Sequence, residues 1–330
     1  MAEHYDRIVV GGGAMGLAAA WQLAERGTRV LLLERFEAGH HRGASHGATR
    51  NINNGYTLPH YVELYTEAVE LWRTLEAQSG RELLVLSGMV SHGDAHRIEA
   101  AHHSLRERGL DSAMLEPRDA SVRWRGMRFT GPVLYNRTAG RINAALGLEV
   151  LAELAQRAGA ELRYEHQVTG IARGTAAVEV TAVDALGTEH RITGDEVVVA
   201  VGAWSAPLLA GLVPLPPLEV TEEHPAHFTI RDTYADANWP SFNHYLRAIG
   251  EQDGNRGNVY GMFTPGEGVK VGFHRTGEAV DPDARRFRAS DAGLRPRASA
   301  SLPRWWDTRP CRPRQDDQQA RAQTRTAHHR

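Results

Sequence analysis

Residues 7–34, RIVVGGGAMGLAAAWQLAERGTRVLLLE, decide the fold. An apolar run, Ile8 to Val10, meets Gly11, Gly13 and Gly16 in G-x-G-x-x-G spacing. The pattern predicts a helix to about Arg26, stopped by Gly27, then a strand from Val30 to Leu33 that ends on Glu34. Strand, glycine turn, helix and strand in that order are the setting in which this spacing marks a dinucleotide site. Gly11 suits the tight turn, Gly13 the approach of a pyrophosphate, and Gly16 the packing of helix on strand. The helix N-terminus offers unpaired N–H groups and a partial positive charge, worth about 0.3–1 kcal/mol to an anion. Glu34, 23 residues after Gly11, suits a carboxylate that accepts from an adenosine ribose and repels a 2′-phosphate. On this stretch alone NAD and FAD both remain open.

The 330 residues allow two domains, and 42% hydrophobic residues is ordinary for a globular chain. A net charge of −2 gives no reason to expect nucleic acid or a membrane surface as partner. No apolar run reaches transmembrane length. A strand starting by residue 7 leaves no room for a signal peptide, and one cysteine, Cys311, excludes an intramolecular disulfide and a multi-cysteine metal site. A reducing cytoplasm fits. Of 38 basic residues only Lys270 is a lysine, a bias that points to GC-rich coding sequence.

Residues 35–60, with HHRGASHGATRNINNG at the centre, read as a polar connection too rich in Gly, Asn and His for a core element, and as a place for chemistry. Val62, Tyr65, Val69 and Trp72 predict an amphipathic helix over 61–79. LLVLSGMVSHG reads as a strand pair, 94–109 as a helix, and Glu116 onward as a short one. Residues 144–158 give another amphipathic helix. Strands follow near 161–168 and 177–183, with a hairpin at Gly187 and a buried strand at 196–204 that ends in Gly-Ala-Trp. The prolines of 212–218 mark a domain crossing, and short strands at 227–231, 259–263 and 269–273 predict an antiparallel second domain. From about Leu294 periodicity stops, and residues 295–330 carry nine Arg against three Asp. Composition predicts a disordered tail there, of the kind that a shifted reading frame in GC-rich sequence produces.

Taken together, VVGGGAMGLAAAWQLA, GASHGATR at 43–50, YVELYTEAVELW at 61–72, AVGAWSAPLL at 200–209, YGMFTPGEGVKVGFH at 260–274 and Asp281-Pro282-Asp283 resemble the monomeric sarcosine oxidase / N-methyltryptophan oxidase family of FAD-dependent amine oxidases. The resemblance implies FAD as cofactor, a secondary amine such as an N-methyl amino acid as substrate, dioxygen as oxidant and hydrogen peroxide as product, in a monomer. It implies that His46 and Arg50 lie against the flavin, with Arg50 stabilising negative charge on the reduced ring. Tyr260 and His274 line the substrate pocket, His274 tuning the amine's protonation. Lys270 supplies the fixed charge that activates dioxygen. Ala14, Met15, Arg35, Ser45, Thr49, Val168, Gly202 and Trp204 complete the expected cofactor contacts with the three glycines and Glu34.

The chain departs from that pattern in three places. Asn53 stands where the family has an arginine for the substrate carboxylate, and TRPCRPRQDD around Cys311 does not match the family's flavin-attachment cysteine. No Gly-His-Gly-Phe-Lys segment closes the chain. The expected fold is α/β: a doubly wound, Rossmann-like FAD-binding domain from 1–90 and 140–215, and a mostly antiparallel substrate domain from 91–139 and 216–290. An irregular tail occupies 291–330. A truncated, non-catalytic FAD-binding remnant and an NAD-dependent dehydrogenase are the rival readings.

Overall fold

The computed structural model describes residues 3–56, 58–229, 239–245, 258–274 and 277–285. In chain order its first elements are β1 (Glu3–Val10), α1 (Ala14–Glu25), β2 (Val30–Leu33), β3 (Thr49–Ile52) and α2 (Pro59–Ser79). Next come β4 (Leu84–Val85), β5 (Met89–Gly93), α3 (Ala95–Glu107), β6 (Ser112–Leu115) and α4 (Pro117–Arg123). β7 (Val133–Asn136), β8 (Gly140–Asn143), α5 (Ala144–Arg157), β9 (Glu161–Arg163), β10 (His166–Arg173) and β11 (Val178–Asp184) follow. β12 (Glu189–Val199) leads through a 3-10 turn, Gly202–Trp204, into α6 (Ser205–Leu209). The last are β13 (Thr221–Glu222), β14 (Ala226–Phe228), β15 (Ser241–Tyr245), β16 (Val259–Thr264), β17 (Gly268–Phe273) and β18 (Glu278–Ala279).

The N-terminal sheet has the order β10-β11-β12-β1-β2-β9, with β12, β1, β2 and β9 parallel. Its central strands are apolar on both sides because both faces are covered. On one face Val9, Val30 and Leu32 pack under α1 and α5 through Leu17, Trp21, Val150 and Leu154. On the other, Ile8, Val10, Leu31 and Leu33 meet Val180, Ala182 and Ile192 of the β10–β12 meander. The expected α/β, Rossmann-like unit is therefore present.

The second large sheet has the order β14-β17-β16-β15-β5-β7-β6 and is antiparallel except where β15 runs beside β5. Side chains alternate across it. Val90, Phe242, Val259, Val269 and Tyr135 form a closed core on one face with Trp124, the residue that ends α4. The opposite face turns towards β3. A small sheet, β3-β8-β4, lies between the two large ones.

Three expectations need correction. The 35–60 connection is not wholly irregular: it contains β3, whose Thr49 and Ile52 are buried, and Asn54 beyond it is fully buried. LLVLSGMVSHG is not a strand pair, since β4 joins β8 while β5 leaves for the large sheet. The strand expected at 196–204 begins at Glu189 and stops at Val199, its last three valines are only half-buried, and Gly-Ala-Trp is a 3-10 turn. The tail from Leu294, with Cys311, lies outside the described residues.

Candidate active site

The glycine turn is built for close approach. Gly11 has φ +104, and a Cβ there would lie 2.6 Å from the Ala200 carbonyl oxygen; a Cβ on Gly16 would fall on the Gly11 carbonyl. Gly13 is the N-cap of α1, and the helix has no acidic residue in its first turn and no side-chain cap from its own N-cap residue. Ser45 Oγ accepts the Ala14 N–H at 3.0 Å. Met15 is 78% exposed at that helix end. Glu34 is buried, and its oxygens accept the N–H groups of Gly12 at 2.5 Å and Phe36 at 2.9 Å. Oε1 also faces His40 Nε2 at 3.5 Å, while Oε2 keeps a further lone pair for a sugar hydroxyl. A cradle without Cβ atoms, a helix end open to an anion and a carboxylate with spare acceptor capacity fit the AMP half of a dinucleotide.

Gly202 is exposed in the 3-10 turn after β12. Trp204 and Arg35 meet a third residue, Asp283, which accepts from Trp204 Nε1 at 2.8 Å and Arg35 Nη1 at 2.6 Å. Val168, half-buried on the edge strand β10, packs against the apolar cluster that contains Val10 and Leu33.

The other end of the site is the face of the large sheet that meets β3. Register puts Ser91, Asn243, Tyr260 and Gly272 in one row across β5, β15, β16 and β17, and Met262 beside Lys270 in the next. Lys270 is 6% exposed and donates from Nζ to the Thr49 carbonyl at 3.0 Å. Burial, with the Arg50 guanidinium adding to it, lowers its pKa to about 8. Thr49 Oγ1 lies 2.7 Å from Thr264 Oγ1, so this buried side chain is taken up by the sheet. Tyr260 and His274 stack with ring centroids 4.6 Å apart, and burial raises the Tyr260 pKa. His274 is otherwise exposed at the end of β17.

Arg50 is folded back on its own loop. Its Nη1 donates to the Thr49 carbonyl at 2.9 Å, and its Nη2 to Ala44 O at 2.8 Å and to the His46 carbonyl. His46 Nδ1 lies 2.6 Å from Gly43 O, and burial, then Arg50, hold its pKa below the ordinary value. The loop thus brings Arg50 and Thr49 to the same face as Lys270 and Tyr260, with the guanidinium acting as a clasp that also holds the His46 carbonyl. Asn53 Oδ1 accepts the Gly55 N–H at 2.9 Å and shapes the turn into α2.

Sequence reading missed Asn243. It is 9% exposed, opposite Tyr260, and its Nδ2 donates to Met89 Sδ at 3.2 Å. The signal was present as alternation in SFNHY: Phe242 and His244 face the closed core, so Asn243 faces the site. Also missed was the network under the loop. Asn54 Nδ2 donates to Thr138 Oγ1 at 2.8 Å, Asn136 Nδ2 donates to Asn54 Oδ1, and Tyr65 Oη donates to the Thr138 carbonyl.

Comparison with known families matches residues 6–321 to FAD dependent oxidoreductase. A monomeric sarcosine oxidase from Streptomyces avermitilis is 32% identical over 292 residues, covering 86% of this chain and 73% of that protein. An N-methyl-L-tryptophan oxidase from Yersinia pestis is 27% identical over 289 residues, with 86% and 73% covered. Among solved structures, NikD, an unusual amino acid oxidase essential for nikkomycin biosynthesis, superposes with a TM-score of 0.75 at 29% identity. That match covers 89% of this chain and 75% of NikD. The chain therefore belongs to the FAD dependent oxidoreductase family, with FAD as its dinucleotide, and within it to the sarcosine oxidase-like amine oxidases.

Proposed function

We propose that the protein oxidises a small secondary amine, of the N-methyl amino acid kind, with dioxygen as the final oxidant. The amine gives up two electrons and two protons, dioxygen takes them as hydrogen peroxide, and water adds to the resulting C=N bond to release an aldehyde and the shortened amine. FAD, when bound, supplies the acceptor for the hydrogen on the carbon next to nitrogen. Gly11, Gly13, Gly16 and Glu34 would hold its AMP half, and the 43–50 loop its other end.

The observation that carries this reading is the burial of Lys270 on the face shared with Tyr260 and Asn243. A buried ammonium is costly, and it is kept where negative charge has to be stabilised, as on dioxygen receiving electrons. Tyr260 and His274 offer a polar wall at which an amine can be held and lose its proton. The Asn53 side chain provides an amide rather than a guanidinium, which favours substrates that do not depend on a tightly clamped carboxylate. Relatives named as monomeric support a single-chain unit, and the single cysteine goes with a cytoplasmic location.

The test is oxygen uptake and peroxide release by FAD-loaded protein. The panel contains sarcosine, N-methyl-L-tryptophan and secondary amines without a carboxylate. Amine-dependent peroxide from at least one of them is expected. Yellow, FAD-saturated protein that releases none with the whole panel would favour a binding remnant and sink the proposal.

A further inference from the structure

We infer that Asp283 is a positioning residue for the cofactor, strapping together the two loops that flank the glycine turn. The strand order β12-β1-β2 puts β1, and hence Gly11–Gly13, between the loop after β12 and the loop after β2. Trp204 lies in the first loop and Arg35 in the second. Asp283 accepts from both, at 2.8 Å and 2.6 Å, so the bridge spans the carboxyl end of the strand that carries the fingerprint.

The contacts around it form one assembly. Phe36, two residues after Glu34, packs on Trp204 and His40 with ring centroids 5.6 Å and 4.9 Å away. Arg35 lies over both Phe36 and Trp204, Arg42 lies over Phe36, and Arg285 donates to the Arg42 carbonyl. Phe36 N–H in turn donates to Glu34, the carboxylate read as the ribose acceptor. Loop 34–42 is therefore fixed from outside by Asp283 and Arg285.

The strap arrives from elsewhere in the fold. β18 pairs with β13, Val280 N–H donates to Val220 O at 2.8 Å, and Asp281 closes the turn by accepting from Asp283 N–H at 2.9 Å. Residues 277–285 thus connect the end of the large sheet to the adenosine side of the N-terminal sheet. The Arg35–Asp283 pair alone is half-exposed and contributes little. Its leverage is geometric, because the same oxygen also takes the indole N–H.

FAD affinity is measured by titrating stripped protein with FAD and following Trp quenching, beside urea unfolding of the stripped protein. Asp283→Ala is expected to weaken FAD binding about tenfold, by loss of two charge-assisted hydrogen bonds. Its urea midpoint should change little, and Asp283→Asn, which keeps the acceptor, should bind within about threefold of wild type. Asp111→Asn, which removes the comparably exposed Arg137–Asp111 pair, should bind FAD as wild type does. If Asp283→Ala does not fold, Trp204→Phe decides, since it keeps the ring and removes the N–H. Any of three results overturns the proposal: wild-type FAD affinity in Asp283→Ala or, in its place, Trp204→Phe; an Asp283→Asn as weak as the alanine variant; or equal weakening in Asp111→Asn.

Discussion

Replacing Lys270 with methionine should give a more stable but slower protein. Burial, reinforced by Arg50, brings this lysine from 10.5 to about 8, so keeping the ammonium at neutral pH costs about 3 kcal/mol. Methionine occupies a similar volume without the charge. The exchange does not orphan the Thr49 carbonyl, because Arg50 Nη1 also donates to it at 2.9 Å. Subtracting about 1–2 kcal/mol for the lost hydrogen bond leaves a net gain of about 1–2 kcal/mol. The folded-state pKa lies below the unfolded one, so between about 8 and 10.5 the unfolded chain binds more protons than the folded chain. Wild-type stability therefore rises with pH across that window and the methionine variant lacks this gain, so the gap between them closes and then reverses towards pH 10.5. Urea unfolding of FAD-stripped protein, at about pH 7 and about pH 10, measures both effects without cofactor linkage. Reoxidation by dioxygen should slow by about 100-fold. A variant less stable than wild type at neutral pH, or a gap that ignores pH, would refute the account of a strained ammonium.

Two further outcomes are expected. Asn54→Ala leaves buried Asn136 and Thr138 groups without their partner and should cost about 2–4 kcal/mol in urea unfolding; a loss below about 1 kcal/mol would mean the network does not hold the loop. His92, beside His244 in the closed core, is lowered to about 3 by burial first and by that neighbour second. Its folded pKa is depressed, so stability present above about pH 6.5 is lost as pH falls towards 3. His92→Leu should flatten that acid limb in thermal melts, and an unchanged limb counts against the histidine as its source.

What was legible in the sequence had local causes. Gly11 and Gly16 show because backbone contacts forbid a Cβ, and Glu34 because strand length fixes where β2 ends. Lys270 stood out as the one lysine among 38 basic residues, and the structure gives that position a buried carbonyl partner. What was hidden depends on distant chain. Thr49-Arg50-Asn51-Ile52 reads as loop because nothing local buries Thr49; Thr264 does, 215 residues later. Alternation in SFNHY separates Asn243 from Phe242 and His244, but which of the two faces meets the site is set by Ser91 and Tyr260 on distant strands. The Arg50 guanidinium donates to three main-chain carbonyls, an arrangement no spacing rule encodes.

The parallel pairing of β1 with β12 also sets an order of events during synthesis. Glu3 pairs with Ile192 and Val10 with Val199, and the Ala200 carbonyl backs the Gly11 turn. At about 5–20 residues per second, β1 leaves the ribosome and then waits about 10–40 s for this neighbour. During that wait β1 has β2 as a partner on one side while its other edge is bare, a state open to wrong pairing. FAD can stabilise only what is already assembled, so its help comes after this interval and the strap at Asp283 comes later still. The nascent chain is thus at its most vulnerable while the motif that names its family is complete in sequence and unfinished in space.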